Sequence, residues 1–170
     1  MHKLLIRICL ALLLVDIGVK WYTHHYIPSL EGGSFFYPYG GIAVFQDFLG
    51  VDFSLNYAKN TGAAWGAFGN FQKPLLIVRM IIMACLVVYL ARKKISLSRR
   101  WALSLILTGA LGNILDYFLY GHVVDMFYFV LWKYSFPVFN VADSLIFCGI
   151  CLIFLQNTLE KRYPLLARLV

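Results

Sequence analysis

Charged residues are scarce in this sequence, and acidic residues are the scarcest. Charged residues make up 14% of the 170 residues, only eight residues are acidic, and 61% are hydrophobic. A soluble domain has about 25% charged residues, so the composition excludes an ordinary soluble protein. Roughly 20 mainly apolar residues cross a bilayer, and the segments that meet this requirement are 4–22, 75–91, 101–119 and 138–155. We therefore predict an all-α integral membrane fold, with one domain over 1–170 and four transmembrane helices.

Several catalytic motifs are absent as well. The sequence has no H-E-x-x-H zinc motif and no G-x-S-x-G nucleophile motif. It has no glycine-rich phosphate loop, because Gly109 and Gly112 lie inside an apolar segment. All four cysteines lie in predicted helices, and Cys148 and Cys151 have no neighbouring cation that would stabilise a thiolate. These absences argue against zinc, serine, nucleotide and redox chemistry.

The basic residues follow a topological pattern. The net charge is +7, and most Lys and Arg residues lie before the first segment, between the second and third, or after the fourth. Short cytoplasmic loops collect Lys and Arg, so we predict that both termini are cytoplasmic. The basic excess then reflects topology and contact with anionic lipid, and nucleic acid is not an expected partner. The first segment is longer than a signal-peptide core and contains Asp16 and Lys20, so we expect it to be retained.

The segment 27–74 differs from the helices around it. Gly and Pro punctuate its start, and short aromatic and β-branched runs follow at 42–48, 51–57 and 64–68. Such runs between turn residues predict strands, so we expect a small extracytoplasmic β-sheet, or cradle, between the first two helices. The second outer loop, 120–137, is aromatic and nearly uncharged. We expect this loop to lie in the membrane interface as a short helix.

Half of the acidic residues fall within or at the ends of the predicted membrane segments: Asp16, Asp116, Asp125 and Asp143. The predicted topology brings all of them to one depth, near the outer face. A carboxylate at the centre of a membrane helix costs about 2.5–3.5 kcal/mol on insertion scales, so it is a functional-site hypothesis by default. Hydropathy alone does not require that the four acids share one depth. Their shared depth therefore indicates a functional site.

Polar partners accompany three of these acids at helical spacing: Lys20 with Asp16, Asn113 with Asp116, and Asn140 with Asp143. Each pair also has a purely structural interpretation, as an ion pair that orients a helix, a polar link between helices, or an N-cap with its capping box. For Asp16 and Lys20 the ion pair and a substrate-side role both stay open. Arg79 has no evident partner, and we expect it to snorkel toward the headgroups.

Two carboxylates in one buried site have a characteristic chemistry. Like charges repel in a low dielectric, so one carboxyl stays protonated while the other ionises. The ionised group can take a proton from water, and the protonated group can polarise a carbonyl and later supply a proton. The pair can therefore hydrolyse a peptide bond. The alternatives are a proton relay or transporter subunit, which would spread acids through the full membrane depth, and a scaffold, in which Asp125→Asn would leave function intact.

Five short motifs occur in order along the chain. They are D-x-x-x-K ending at Lys20, N-x-G-x-A-[FW] starting at Asn60, G-x-x-G-N-x-x-D ending at Asp116, V-V-D ending at Asp125, and F-N-x-A-D-[ST] ending at Ser144. Together they resemble the lipoprotein signal peptidase, or signal peptidase II, family over nearly the whole chain. Two positions depart from the family pattern. Met126 replaces an aromatic residue, and Tyr117 replaces an arginine with a side chain that carries no charge.

The resemblance implies a membrane aspartic endopeptidase that removes signal peptides from diacylglyceryl-modified bacterial prolipoproteins, cutting on the amino side of the lipidated cysteine. It implies a catalytic pair, Asp125 and Asp143, and no metal or organic cofactor. The supporting or substrate-binding residues implied by the motifs are Asp16, Lys20, Asn60, Gly62, Asn113, Asp116, Asn140 and Ala142. The expected partners are the prolipoprotein, membrane lipid and a globomycin-type inhibitor. The expected location is the bacterial inner membrane, with the active site near the outer face.

Overall fold

The computed structural model describes residues 2–29, 41–62 and 71–162. Within these ranges the chain forms four α-helices and a four-stranded antiparallel sheet. The helices are α1 (His2–Tyr26), α2 (Gln72–Arg92), α3 (Leu97–Tyr120) and α4 (Val141–Arg162). The strands are β1 (Ile42–Phe48), β2 (Val51–Asn60), β3 (Val123–Leu131) and β4 (Tyr134–Ser135). Each of the four segments predicted as transmembrane overlaps one of these helices, with ends that differ from the prediction by up to seven residues.

Helix α3 is the centre of the bundle, and α1, α2 and α4 all pack against it. Glycine permits the closest of these contacts. A Cβ atom at Gly109 of α3 would collide with the Ala142 carbonyl oxygen of α4, and one at Gly149 of α4 would lie 2.6 Å from the Ala102 carbonyl oxygen of α3. Small residues let helix backbones approach in this way.

Among the described residues, three helices are long and apolar enough to cross a membrane: α2, α3 and α4. They fit a membrane protein, and α2 in particular has no buried residue, so its apolar surface faces outward. Helix α1 does not meet the same test. Its apolar run is interrupted by charged side chains, namely Lys3, Arg7, Asp16 and Lys20.

The sheet joins two distant parts of the chain. The strand order is β1-β2-β3-β4, and β2 pairs with β3 from Val51↔Leu131 to Asn60↔Val123. The prediction that 120–137 forms an interfacial helix was therefore wrong, and so was the restriction of the sheet to 27–74. Residues 123–131 are rich in Val, Phe and Tyr, which favour strands as well as interfaces, and they cover an edge that β2 would otherwise expose. The predicted strand at 64–68 lies outside the described residues.

A small apolar core lies where the sheet meets the helix ends. It consists of Ile27, Tyr57, Val124 and Met126. The Tyr57 hydroxyl also forms hydrogen bonds of 2.8 Å with His24 Nδ1 of α1 and with His122 Nε2, just before β3. Val124 and Met126 are fully buried on either side of Asp125. The core therefore fixes the part of β3 that carries this acidic residue.

Candidate functional site

Asp125 and Asp143 lie on one cavity of about 560 Å³. Asp125 belongs to β3 and is 2% exposed, whereas Asp143 lies in the first turn of α4. Polar side chains from other elements also line the cavity, including Asn60 of β2 and Asn113 of α3. Most of the remaining wall is apolar and comes from residues 136–150. The fold thus brings together two carboxylates that are 18 residues apart in the sequence.

Asn140, immediately before α4, connects these two carboxylates. Its Nδ2 donates to Asp125 Oδ1 at 2.7 Å. Its Oδ1 accepts a hydrogen bond of 2.8 Å from the Asp143 backbone N–H, and its own backbone N–H donates to Asp143 Oδ2 at 3.3 Å. The reciprocal pair is the helix cap that the spacing predicted. Through its contact with Asp125, the same side chain also connects the start of α4 to β3.

Each carboxylate has a further amide donor. Asn60 Nδ2 donates to Asp125 Oδ2 at 3.0 Å, and Asn113 Nδ2 donates to Asp143 Oδ1 at 2.7 Å. The Gly62 backbone N–H donates to Asn60 Oδ1 at 2.9 Å and so orients that amide. These hydrogen bonds orient both carboxylates, and both residues also line the cavity.

A buried ion triad lies behind the carboxylates. Lys20 Nζ is 2.8 Å from Asp16 Oδ2 and 2.8 Å from Asp116 Oδ2, and the lysine is fully buried. Lys20 also donates to Asn113 Oδ1 at 3.1 Å, so the triad orients the amide that holds Asp143. Burying these charges without partners would cost several kcal/mol for each ion. The triad therefore ties α1 to α3.

The two carboxylates of the triad also contact the two elements that carry the site. Asp16 Oδ1 accepts a 2.8 Å hydrogen bond from the Ala142 backbone N–H, and Asp116 Oδ2 accepts one of 3.2 Å from the Val124 backbone N–H. Ala142 and Val124 directly precede Asp143 and Asp125 in the sequence. The triad thus holds the backbone beside each carboxylate.

Burial changes the acidity of Asp125. Burial, together with the nearby charge of Asp143, raises the pKa of Asp125 from 3.8 to about 7. Hydrogen bonds from Asn60 and Asn140 oppose this rise in the pKa without cancelling it. A carboxyl group with this pKa exchanges its proton near neutral pH, which suits a general acid or base.

The amino-acid sequence of this chain is similar to those of known proteins. A family model described as signal peptidase (SPase) II matches residues 8–159. The chain belongs to the signal peptidase II family. Among its relatives, a lipoprotein signal peptidase from Psychromonas ingrahamii is 40% identical over 65% of this chain, and one from Clostridium tetani is 38% identical over 72% of this chain. The alignments cover 66% of the Psychromonas protein and 77% of the Clostridium protein, whereas alignments to several chlamydial relatives cover 58% of those proteins.

Two solved structures share the fold of this signal peptidase II family member. Both are described as bacterial membrane enzymes, and each is 28% identical to this chain. One has a TM-score of 0.79 and covers 94% of this chain and 90% of its own, while the other has a TM-score of 0.71 and covers 90% and 91%. The similarity therefore extends over the helices and the sheet.

Every site residue that the sequence predicted joins one network in this signal peptidase II family chain. Asn60, Asn113, Asp125 and Asp143 line the cavity. The others contact these residues or hold them from behind: Asp16, Lys20, Gly62, Asp116, Asn140 and Ala142. Asp16 and Lys20 were open to two interpretations, an ion pair or a substrate-side role. The structure contains the ion pair. Neither residue is among the described residues that line the cavity.

Sequence reasoning did not identify Arg79 as a residue that lines the cavity with Asp125 and Asp143. Its Nη2 donates to the Gly62 carbonyl oxygen at 2.8 Å, and the residue lines the cavity. Arg79 therefore makes a specific contact within the protein, which the expected snorkelling toward the headgroups does not describe. An arginine inside a predicted membrane helix is itself a functional signal, and it was the indication available from the sequence.

Proposed function

We propose that this chain is an aspartic endopeptidase of the bacterial inner membrane that removes signal peptides from diacylglyceryl-modified prolipoproteins, cutting on the amino side of the lipidated cysteine. The observation that carries the proposal is the shared cavity of Asp125 and Asp143, which both accept hydrogen bonds from Asn140. Family membership supports the peptidase class, and the two carboxylates support the aspartic type.

The proposed chemistry uses one water and one shared proton. Near neutral pH the Asp125–Asp143 pair holds a single proton, because two neighbouring carboxylates do not both ionise easily. The ionised member takes a proton from water, and the resulting oxygen attacks the scissile carbonyl carbon. The protonated member donates to the carbonyl oxygen, and the cysteine nitrogen receives a proton as the C–N bond breaks. The amides of Asn60, Asn113 and Asn140 keep both carboxylates oriented throughout.

The cavity wall supports a lipid-anchored substrate. Helices α2 and α4 both pack on α3, and the cavity is lined from both sides, by Arg79 of α2 and by Ile146, Phe147 and Ile150 of α4. Phe147 is 68% exposed, so an apolar surface leads from the cavity to the bilayer. A diacylglyceryl group can lie on that surface while the peptide bond enters the polar end. A globomycin-type inhibitor would compete for the same cavity.

We further propose that α1 is the fourth transmembrane helix. The charges of Asp16 and Lys20 are paired inside the bundle, while the outward side chains of α1 are apolar, including Leu4, Leu10 and Leu14. Four spans place both chain ends on the side of the basic α2–α3 connection, which is the cytoplasmic side by the distribution of Lys and Arg. The carboxylates lie at the opposite, outer end of α3. This clustering at one depth does not favour a proton relay across the membrane.

The decisive experiment is cleavage of a diacylglyceryl precursor by purified, detergent-solubilised protein. We expect Asp125→Asn and Asp143→Asn each to lower the cleavage rate at least about 100-fold, because each removes one half of the acid–base pair. Asp47→Asn is the matched control, since it removes an exposed carboxylate from the same sheet. If either Asp125→Asn or Asp143→Asn cleaved at the wild-type rate, the assignment of that residue would be wrong.

A further inference from the structure

A second groove lies on the basic side of the bundle, away from the carboxylates. It runs between α1, α2 and α3 and has a volume of about 360 Å³. Leucine side chains dominate its wall, and Arg100 is the only charged side chain among the described residues that line it. It shares no lining residue with the cavity of Asp125 and Asp143. The proposed reaction does not use this groove.

The groove has the length of one membrane leaflet. On α3 it extends from Arg100 to Leu111, which is about 16 Å at a helical rise of about 1.5 Å per residue. On α1 its lining runs from Leu5 to Leu13 along one helix face. Half of a hydrocarbon core of about 30 Å is about 15 Å. A single acyl chain of one leaflet therefore matches the groove from end to end.

Arg100 places a positive charge at the headgroup end of the groove. Its Nη1 donates to the Leu90 carbonyl oxygen at 3.2 Å, and no carboxylate in the described ranges lies within ion-pair distance of it. Arg99 differs, because its Nη2 contacts Asn157 at 2.7 Å and Glu160 at 3.3 Å. The guanidinium of Arg100 therefore has N–H donors and a positive charge available for a ligand. Further cations lie at the end of α2 and directly after it, at Arg92, Lys93 and Lys94.

We propose that this groove binds an anionic glycerophospholipid, with its phosphate at Arg100 and one acyl chain between α1 and α3. Basic pockets between transmembrane helices on the cytoplasmic side bind anionic lipid headgroups in this way. A cation alone would attract a soluble phosphate, and an apolar groove alone would accept any lipid tail. The combination of the two over one leaflet selects a charged lipid. The proposal does not depend on the peptidase activity.

Lipid titration with native mass spectrometry tests the headgroup end. Delipidated protein in a neutral detergent receives phosphatidylglycerol or phosphatidylcholine. We expect phosphatidylglycerol to bind about fivefold more tightly, and Arg100→Gln to remove most of that preference, because one basic residue near an anionic headgroup is worth about fivefold in affinity. Arg92→Gln makes the same charge change outside the groove and should retain the preference. Equal losses in both variants would indicate general surface attraction and overturn the proposal.

Two matched threonines test the acyl-chain end without changing charge. Thr108 and Thr158 each donate to the carbonyl oxygen four residues earlier, at 2.8 and 2.9 Å, but Thr108 lines the groove and Thr158 is exposed on α4. We expect Thr108→Leu to weaken phosphatidylglycerol binding at least about fivefold by filling the groove, and Thr158→Leu to leave it unchanged. Unaltered binding by folded, monodisperse Thr108→Leu protein would overturn the proposal. Competition by soluble glycerol phosphate at the affinity of the lipid would do so as well.

Discussion

The side chain of Asn140 connects three elements of the fold. Its Nδ2 lies 2.7 Å from Asp125 Oδ1 on β3 and 3.1 Å from Asn113 Oδ1 on α3, while its Oδ1 caps α4 at Asp143. The amide offers a donor to one carboxylate and an acceptor to the backbone beside the other, and it carries no charge. A carboxylate at this position would add a third negative charge to the pair. Asn140 thus fixes the separation of the pair without changing its charge.

The raised pKa of Asp125 has a measurable effect on stability. The folded protein holds this proton up to a pH of about 7, whereas the unfolded chain releases it near 3.8. The stabilisation is therefore complete below about pH 4 and declines as the pH rises to about 7. Between pH 5 and pH 7 the loss is about 2–3 kcal/mol, at about 1.36 kcal/mol for each pH unit.

Asp125→Asn should remove this pH dependence, because an amide does not ionise in this range. The measurement is the melting temperature of wild type and variant in detergent at pH 5, 6, 7 and 8. The absolute stability of the variant is less informative, since it also changes the hydrogen bonds from Asn60 and Asn140. Parallel curves for wild type and Asp125→Asn would contradict the raised pKa. Asp47→Asn serves as the control and should follow the wild-type curve.

Arg79 should act in substrate binding. It lines the cavity, and in the described part of the chain no carboxylate neutralises it, while one of its nitrogens is fixed on Gly62. Its remaining donors can bind carbonyl oxygens of the substrate. We expect Arg79→Gln to raise KM about tenfold with a smaller effect on kcat, since a hydrogen bond to a charged group is worth about 1.5–3 kcal/mol. Arg79→Lys should recover part of the loss, and an unchanged KM in Arg79→Gln would exclude this role.

At the scale of single elements, the contact between α3 and α4 tests the packing argument. Gly109→Ala places a methyl group against the Ala142 carbonyl oxygen, and overpacking of this kind costs about 1–3 kcal/mol. Gly18→Ala on α1 is the matched control, because in the described structure nothing lies within 4 Å of the added methyl group. We expect thermal unfolding in detergent to show a lower melting temperature for Gly109→Ala and an equal or higher one for Gly18→Ala. Equal melting temperatures would mean that the helices separate without cost.

The helices were predictable from the sequence because their signal is local. Long apolar runs define α2, α3 and α4, and the spacing of Asp16 with Lys20 and of Asn140 with Asp143 predicted two contacts that the structure contains. These pairs lie within one turn of a helix. Hydrogen bonding inside a helix connects only near neighbours, so such contacts do not require knowledge of the tertiary fold.

The strand β3 and the contact of Arg79 were not predictable in the same way. The partner of Asp125 in the sheet is Ala58, far earlier in the sequence, and pairing at that distance leaves no local pattern. The aromatic residues of β3 suit a membrane interface as well as a strand. Arg79 meets Gly62 only because the outer segment returns to α2. In both cases the tertiary fold determines the contact. The composition alone is compatible with a strand or an interfacial segment for β3, and with a protein contact or snorkelling for Arg79.

For the whole molecule, the proposed fourth span makes a prediction about sidedness. If α1 crosses the membrane, Lys3 and Lys94 lie on the same side, because α1 and α2 separate them. If α1 lies on the surface, only α2 separates them and they lie on opposite sides. Leu49, which is 79% exposed at the β1–β2 turn, should lie on the opposite side from Lys94 in either case.

Cysteine labelling in oriented vesicles distinguishes these arrangements. The background lacks the native thiols, which are Cys9, Cys85, Cys148 and Cys151, and carries a single Lys3→Cys, Lys94→Cys or Leu49→Cys substitution. We expect a membrane-impermeant maleimide to label Lys3→Cys and Lys94→Cys from one side and Leu49→Cys from the other. Since Asp16 and Lys20 neutralise each other inside the bundle, the charge of α1 does not prevent insertion. Labelling of Lys3→Cys together with Leu49→Cys would instead leave α1 on the surface and place the ion triad at the bilayer boundary.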